Sequence, residues 1–368
     1  MSRLRVSVDY AAITANVRTL VASTDAAVMA VVKADAYGHG LIEAAAAARG
    51  GGATWLGVAQ PHEALALRAA GDGGPIFTWL YGPEVPAGDL IDAGVDLSVA
   101  SAPVLDAIVA AARQRGRQAR LHIAVDTGLA REGCTLDDLP ALLDAVAQAE
   151  RDGTVHAVGL WSHLAWADQP GHPTIDVQAQ AFHHALEAAA AAGLNITIRH
   201  LANSACTLTR PDLHFDLVRP GIAVYGVAPM PDRAGNAWSL TPAMTVSARV
   251  ILTKQVGAGQ GVSYGHTYTT SQATTLALVD AGYADGVFRS ASNVAPVAIG
   301  GQVYTISGRV CMDQFVVDVG PHSTVRAGDE VVLFGAGGPS ATDWANAAGT
   351  IDYEVLCRFG VLRNKEAC

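Results

Sequence analysis

Ala27-Val28-Met29-Ala30-Val31-Val32-Lys33-Ala34-Asp35-Ala36-Tyr37-Gly38-His39-Gly40 is the stretch on which the reading of the fold turns. Six apolar residues, three of them valine, stop abruptly at a lysine, and a polar, glycine-containing turn follows. So short and continuous an apolar run suits a strand buried on both faces. The alanine- and leucine-rich segment Leu41–Ala48 then reads as a helix. The same alternation recurs along the chain. Strand-like runs are Ala27–Val32, Trp55–Val58, Pro75–Leu80, Asp96–Val99, Arg120–Val125, His156–Ser162, Ile196–Leu201 and Phe215–Val218. Helical patterns lie between them, among them Glu63–Ala70, Val104–Gln114, Leu136–Ala149 and Val177–Ala191. Eight strands with crossover helices over some 200 residues predict a (β/α)8 barrel of the TIM type, with a doubly wound sheet as the alternative.

Past Gly226 the texture changes. Pro229-Met230-Pro231-Asp232 and Gly235-Asn236 read as a linker. Beyond it, Thr245–Leu252, Thr274–Val279, Pro296–Ile299, Phe315–Val319 and Glu330–Phe334 are Val/Thr-rich runs separated by tight turns. They predict a C-terminal all-β domain. The expected division is therefore a barrel over residues 1–228, with residues 1–9 available to pair with the second domain, and a β domain over 229–368.

A chain of 368 residues, half of them hydrophobic, has material for such a two-domain core. Its net charge of −10 argues against nucleic acid as a partner. Charges or glycines interrupt every apolar stretch before membrane-spanning length. The N-terminus lacks a signal-peptide core, so a cytoplasmic location is expected. Five scattered cysteines form no CxxC pair or zinc spacing, so reduced thiols and no metal are expected.

Chemistry in such a barrel collects where strands end. The first strand ends at Lys33, the fifth at Asp126-Thr127-Gly128 with Arg131 beyond, and the sixth at Ser162-His163. The seventh ends at Asn203-Ser204, and the eighth leads to Arg219-Pro220-Gly221-Ile222. The last two supply a hydroxyl and backbone N–H groups where barrels often hold phosphate. A lysine buried behind six apolar residues is costly unless paired or neutral, and a lysine of depressed pKa forms Schiff bases well. A lysine facing a phosphate cradle fits pyridoxal 5'-phosphate (PLP). Each residue alone has an ordinary reading: solvated lysine, core histidine, helix cap, structural ion pair. Those readings leave unexplained why all fall at the strand ends of one barrel.

The same residues carry a family resemblance. Ala30–Gly40 resembles the PLP-lysine signature of alanine racemases. The match continues through Asp126-Thr127-Gly128-Leu129-Ala130-Arg131, His200-Leu201-Ala202-Asn203-Ser204, Val218–Ile222 and Val262-Ser263-Tyr264-Gly265. It ends with Gly282–Gly286, Gly308–Asp313 and Ile351-Asp352-Tyr353-Glu354, in the family's order. The resemblance implies a homodimer that shares its active sites and supplies D-alanine for peptidoglycan. It also implies roles. Lys33 holds PLP and serves as base on one face of the substrate carbon; Tyr264, from the partner subunit, serves on the other. Tyr37, Asn203, Ser204, Gly221, Ile222 and Tyr353 bind the cofactor, mostly at its phosphate. Arg219 meets the pyridine nitrogen, and His163 links Arg219 towards Tyr264. Arg131 and the Met312 backbone bind the substrate carboxylate, and Tyr283 lines the entrance.

Racemisation removes a proton from one face and returns one to the other, so it needs two acid/base groups. A tyrosine, ordinarily titrating near ~10, needs nearby cations to act as a base at neutral pH. An arginine does not give up its proton, so the pyridine nitrogen stays unprotonated and the cofactor is a weaker electron sink. Two departures stand out. Many members carry, before Asp-Thr-Gly, a carbamylated lysine that braces the arginine; here that position is Ala124. The expectation is that a bound anion, such as chloride, fills the vacated space and braces Arg131, with a neighbouring carboxylate as the rival. The end of the chain, Arg358–Cys368, does not keep the usual arginine-containing end of the family. Rival readings are a racemase of broader or shifted specificity (serine, lysine), a non-catalytic PLP carrier and a PLP decarboxylase. Arg219 and the Val262–Gly265 block argue against the last.

Overall fold

The computed structural model describes residues 4–230 and 237–361. Part of the expected linker and most of the C-terminal departure lie outside the described residues. By compactness the chain forms two units, one of residues 10–36 and 41–241, the other of residues 1–9, 37–40 and 242–368. The sequence reading put its boundary at 228/229; the larger unit runs on to Thr241.

Strand β1 is Arg5–Val8 and belongs to the smaller unit. The larger unit holds eight strands: β2 (Ala27–Val31), β3 (Trp55–Val58), β4 (Ile76–Thr78), β5 (Asp96–Val99), β6 (Ala119–Ala124), β7 (Val155–Trp161), β8 (Ile198–His200) and β9 (Leu217–Val218). All neighbours are parallel, in the order β8-β7-β6-β5-β4-β3-β2-β9. Between β8 and β9 a single bridge, Asn203 to Arg219, closes the ring, with Arg219 N–H donating to the Ala202 carbonyl at 2.8 Å. Every strand run expected from sequence is present, shortened by a residue or more at several ends.

The barrel is filled, not hollow. Met29, Trp55, Phe77, Trp161, Ala124 and Leu217 form its core, with Trp79 and Ile198 packed against it. Burying aromatic side chains of this size dominates the local energetics. Helices wrap the outside, each presenting an apolar face; Leu139–Arg151, for example, buries Leu142, Leu143 and Val146.

In the smaller unit, β10 (Met244–Val256) is the central strand. The remaining strands are β11 (Gly261–Val262), β12 (Tyr268–Thr269), β13 (Thr274–Val279), β14 (Pro296–Ile299), β15 (Gln302–Thr305), β16 (Phe315–Gly320) and β17 (Glu330–Phe334). The main sheet runs β15-β14-β17-β10-β13-β16, antiparallel throughout, and β1 adds to β10. Along β16 the alternation of buried Phe315, Val317 and Val319 with half-buried neighbours is that of a sheet covered on one face. Two short helices, Ala341–Ala348 and Asp352–Gly360, follow the sheet. Their apolar faces bury Trp344, Val355 and Phe359.

Candidate active site

Lys33 opens a turn that no ordinary helix signal predicts. Residues Ala34, Asp35, Ala36 and Tyr37 all have φ between 52° and 56°, so the backbone winds left-handed. Two carboxylates hold it within the barrel unit. Ala34 N–H donates to Glu63 Oε1 at 2.6 Å, and Leu41 N–H donates to Asp35 Oδ1 at 2.7 Å. The Lys33 ammonium lies 5.8 Å from the centre of the Trp79 ring.

Arg219, after β9, is buried. Its guanidinium donates to the carbonyls of His200 and Ser162, both at 2.7 Å, and sits 5.1 Å above the Trp161 ring. Its remaining polar neighbours are histidine nitrogens: His200 Nδ1 at 3.3 Å and His163 Nδ1 at 3.4 Å. Among the described residues it has no ion pair. Burial lowers its pKa to about 10, which leaves it a cation at neutral pH. Burial, and then the charges of Arg219, Arg131 and Lys33, push His163 well below the usual histidine range. Three cations thus surround one neutral imidazole.

Arg131 follows the turn in which Asp126 Oδ1 accepts the N–H groups of Gly128, Leu129 and Ala130 at 2.9, 3.0 and 3.1 Å. Its guanidinium is gripped in two places by Glu132, through Nε and, at 2.8 Å, through Nη2. Burial raises the Glu132 carboxyl, but the hydrogen bond and charge of Arg131, together with Arg219, hold it below its ordinary value. Of the two braces expected in place of a carbamate, a neighbouring carboxylate is therefore in contact. Ala124 itself is buried in the barrel core.

The cradle at the ends of β8 and β9 is built from Asn203, Ser204 and Gly221. The Asn203 side chain caps the helix Ser204–Thr209 by accepting from Cys206 N–H at 3.2 Å. The Ser204 hydroxyl accepts from Gly221 N–H at 2.7 Å and more distantly from Ala223 N–H. Ile222 begins the single helical turn beside it.

The other expected residues belong to the smaller unit. Tyr37 and Tyr353 pack ring against ring, centroids 5.9 Å apart, and burial raises the Tyr37 phenol. Tyr264 and Met312 lie on two loops, Tyr283 on a third, and all are exposed: 71%, 54% and 39%. The three loops are stitched together. Ser263 Oγ donates to the Arg309 carbonyl at 2.6 Å, and Ala284 N–H donates to the Met312 carbonyl at 2.9 Å. A Cβ on Gly282 would overlap the Met312 carbonyl, so only glycine permits that approach. The structure thus groups Lys33, Arg131, His163, Asn203, Ser204, Arg219, Gly221 and Ile222 in one unit. In the other it groups Tyr37 with Tyr353, and Tyr264 with Met312 and Tyr283.

Sequence reasoning missed Glu132 and Glu63, and placed His200 in a family-like block without giving it a role. Glu132 stands next to an arginine already singled out, and that adjacency was the available signal. Glu63 is distant in sequence from the turn it holds and gave none.

Comparison with known proteins places these groups in context. The alanine racemase N-terminal domain family matches residues 8–229, and the C-terminal domain family matches residues 243–366. The chain is 56% identical to an alanine racemase of Salinispora arenicola over 366 residues, 99% of this chain and 97% of that one. It is 50% identical to one from Streptomyces coelicolor, over 97% of this chain and 94% of that one. The crystal structure of alanine racemase from D-cycloserine-producing Streptomyces lavendulae superposes with a TM-score of 0.94 at 49% identity, covering 98% and 95% of the two chains.

Proposed function

The chain belongs to the alanine racemase family of enzymes, which interconvert L- and D-alanine, and on that premise we propose how its own residues share the work. The observation that carries the reading is the buried Arg219, 3.4 Å from His163 and two residues before Gly221, whose N–H donates to Ser204 in the cradle, with the charges of Arg219, Arg131 and Lys33 adding to burial in keeping His163 neutral. So many cations with one nearby carboxylate suit a doubly anionic cofactor and a substrate carboxylate, and the donor set fits PLP. When bound through Lys33, PLP supplies the electron sink that makes the α-proton of an amino acid removable.

Lys33 Nζ takes or returns that proton on one face. The Tyr264 hydroxyl of a second copy of the chain does so on the other, and alternation of the two gives both directions. The exposure of Tyr264, Met312 and Tyr283 together supports coverage by a second copy in a homodimer. Asn203, Ser204, Gly221 and Ile222, with Tyr37 and Tyr353, hold the phosphate. Arg219 donates to the ring nitrogen and, even buried, keeps its own proton at neutral pH. His163 connects Arg219 towards the second base. Arg131, steadied by Glu132, binds the substrate carboxylate, aided by the Met312 N–H, and Tyr283 lines the entrance. A cytoplasmic location, where D-alanine would feed peptidoglycan, belongs to the same reading.

Purified protein with added PLP, given L-alanine in deuterium oxide, is expected to exchange the α-proton and form D-alanine together, and Lys33→Ala to do neither. Exchange without D-alanine would remove Tyr264 as second base. Activity confined to serine or lysine would move the substrate, and silence towards all three would favour a non-catalytic PLP carrier.

A further inference from the structure

Hydrophobic side chains fill most of the barrel interior, yet a polar chain runs through it. Arg120 grips Asp96 at both carboxylate oxygens, 2.9 and 3.1 Å. Asp96 Oδ2 meets His122 Nε2 at 3.1 Å, His122 Nδ1 meets His200 Nε2 at 2.8 Å, and His200 Nδ1 meets Arg219 at 3.3 Å. His122 and His200 are wholly buried, among Trp55, Phe77 and Trp161. Asp96 opens β5, at the N-terminal end of the barrel, whereas Arg219 follows the last strand at the C-terminal end. Conservation of charge at the N-terminal face of such barrels would ordinarily serve stability. Apolar residues of similar volume would fill this space at least as stably, because buried polar groups must recover their desolvation cost.

The site is shaped for the histidine. Pairing of β6 with β7 shifts register between Leu121 and His122, which sets His122 opposite Gly159. A Cβ on Gly159 would overlap His122 Nδ1. A bulge of this kind re-aims a side chain.

Hydrogen-bond chemistry fixes the direction of the chain. Arg219 only donates, so the His200 Nδ1 that faces it must accept. His200 then carries its proton on Nε2 and donates to His122 Nδ1. His122 in turn carries its proton on Nε2 and donates to Asp96. Both imidazoles are neutral and every donor has an acceptor. Reversal would set an N–H against the guanidinium.

We infer that Asp96 and His122 are positioning residues, which act through His200 to hold Arg219 as a fixed donor at the cofactor's ring nitrogen. The inference rests on the reading of Arg219 given above. The role of Asp96 is to accept a hydrogen bond; its charge is already matched by Arg120. With the chain broken, His200 loses its single tautomer, and Arg219 loses a partner on one side. The ring nitrogen is then open to protonation, the deprotonated substrate lives longer, and a side reaction grows. In that reaction alanine and the cofactor aldehyde exchange amine for carbonyl, giving pyruvate and the cofactor amine, with no other reactant.

The test combines 15N NMR of histidine-labelled protein, with and without PLP, and the ratio of pyruvate formed to alanine racemised. In the unaltered protein His200 and His122 are expected as Nε2–H tautomers. Asp96→Val is expected to mix them and raise the pyruvate ratio about fivefold, the equivalent of one hydrogen bond, with KM for alanine within about twofold because Arg131 is untouched. Asp96→Asn, which still accepts, is expected to behave as the unaltered protein. A proton on His200 Nδ1 in the unaltered protein overturns the inference, even if Asp96→Val fails to fold. Equal behaviour of the Val and Asn variants overturns it too. Arg219→Lys serves as reference: no change in its pyruvate ratio would refute the ring-nitrogen reading itself, whatever the tautomers.

Discussion

At the scale of single residues, Arg131 and Glu132 form a two-point ion pair. On the function proposed above, Glu132 braces Arg131, which the methyl group of Ala124 cannot do. The pair is part-exposed, Arg131 being 57% accessible, so solvent screens it. Its worth is about 1 kcal/mol rather than the larger figure for a buried charged bond. Glu132→Ala is therefore expected to raise KM for alanine about fivefold with little change in kcat. Added chloride should recover part of that loss, yet leave the unaltered protein unaffected. If chloride activates the unaltered protein equally, a bound anion rather than Glu132 is the brace.

At the scale of elements, the left-handed turn after β2 is the costly feature. Each non-glycine residue wound this way gives up about 1–2 kcal/mol, and Ala34, Asp35 and Ala36 do so in succession. The hydrogen bonds that Ala34 N–H donates to Glu63 and Leu41 N–H donates to Asp35 offset part of that cost. The turn fixes where the backbone of Lys33 leaves the barrel strand, so strain here is tied to placement of the Lys33 side chain. Ala34 is exposed, which separates backbone from packing effects. Ala34→Gly is expected to stabilise the fold by about 0.5–1 kcal/mol, the relief of strain exceeding the added chain entropy. Ala34→Val, β-branched at positive φ, should destabilise by more than that. Denaturant titration reads both, and equal stability of the two variants would mean that the turn is not left-handed in solution.

For the whole molecule, buried histidines set the response to acid. His163 and His200 both sit well below the usual histidine range. In each case burial is the larger cause; Arg219, Arg131 and Lys33 add to it for His163, and His122 and Arg219 for His200. The unfolded chain takes up these two protons near pH ~6.5 and the folded chain does not. Their contribution is thus complete above that pH and declines as pH falls below it, by up to about 1.4 kcal/mol per pH unit for each. Burial raises Asp96 and Glu132, but the hydrogen bonds of His122 and Arg120 to the first and of Arg131 to the second hold both low, so their contribution is lost only at lower pH, below the ordinary carboxylate range. Unfolding free energy should be level from pH 8 to about 7 and fall steadily towards about pH 5. A flat profile down to pH 5 would mean that both imidazoles are protonated within the fold.

The amino-acid sequence by itself determined the architecture, because architecture rests on periodicity. Short apolar runs alternating with alanine-rich helices call for a parallel sheet, eight of them for a barrel before a doubly wound sheet, and alternating Val/Thr runs call for an antiparallel sheet. It also singled out Lys33, Asn203, Ser204, Arg131 and Arg219, since these sit at strand ends that periodicity can find. Tertiary structure alone decided which groups touch them. Glu63 reaches Ala34 across 29 residues, and Asp96, His122 and His200 lie on three different strands. Their contact depends on the register of β5 through β8 around a closed ring, and no local pattern encodes a register set by the packing of the whole barrel.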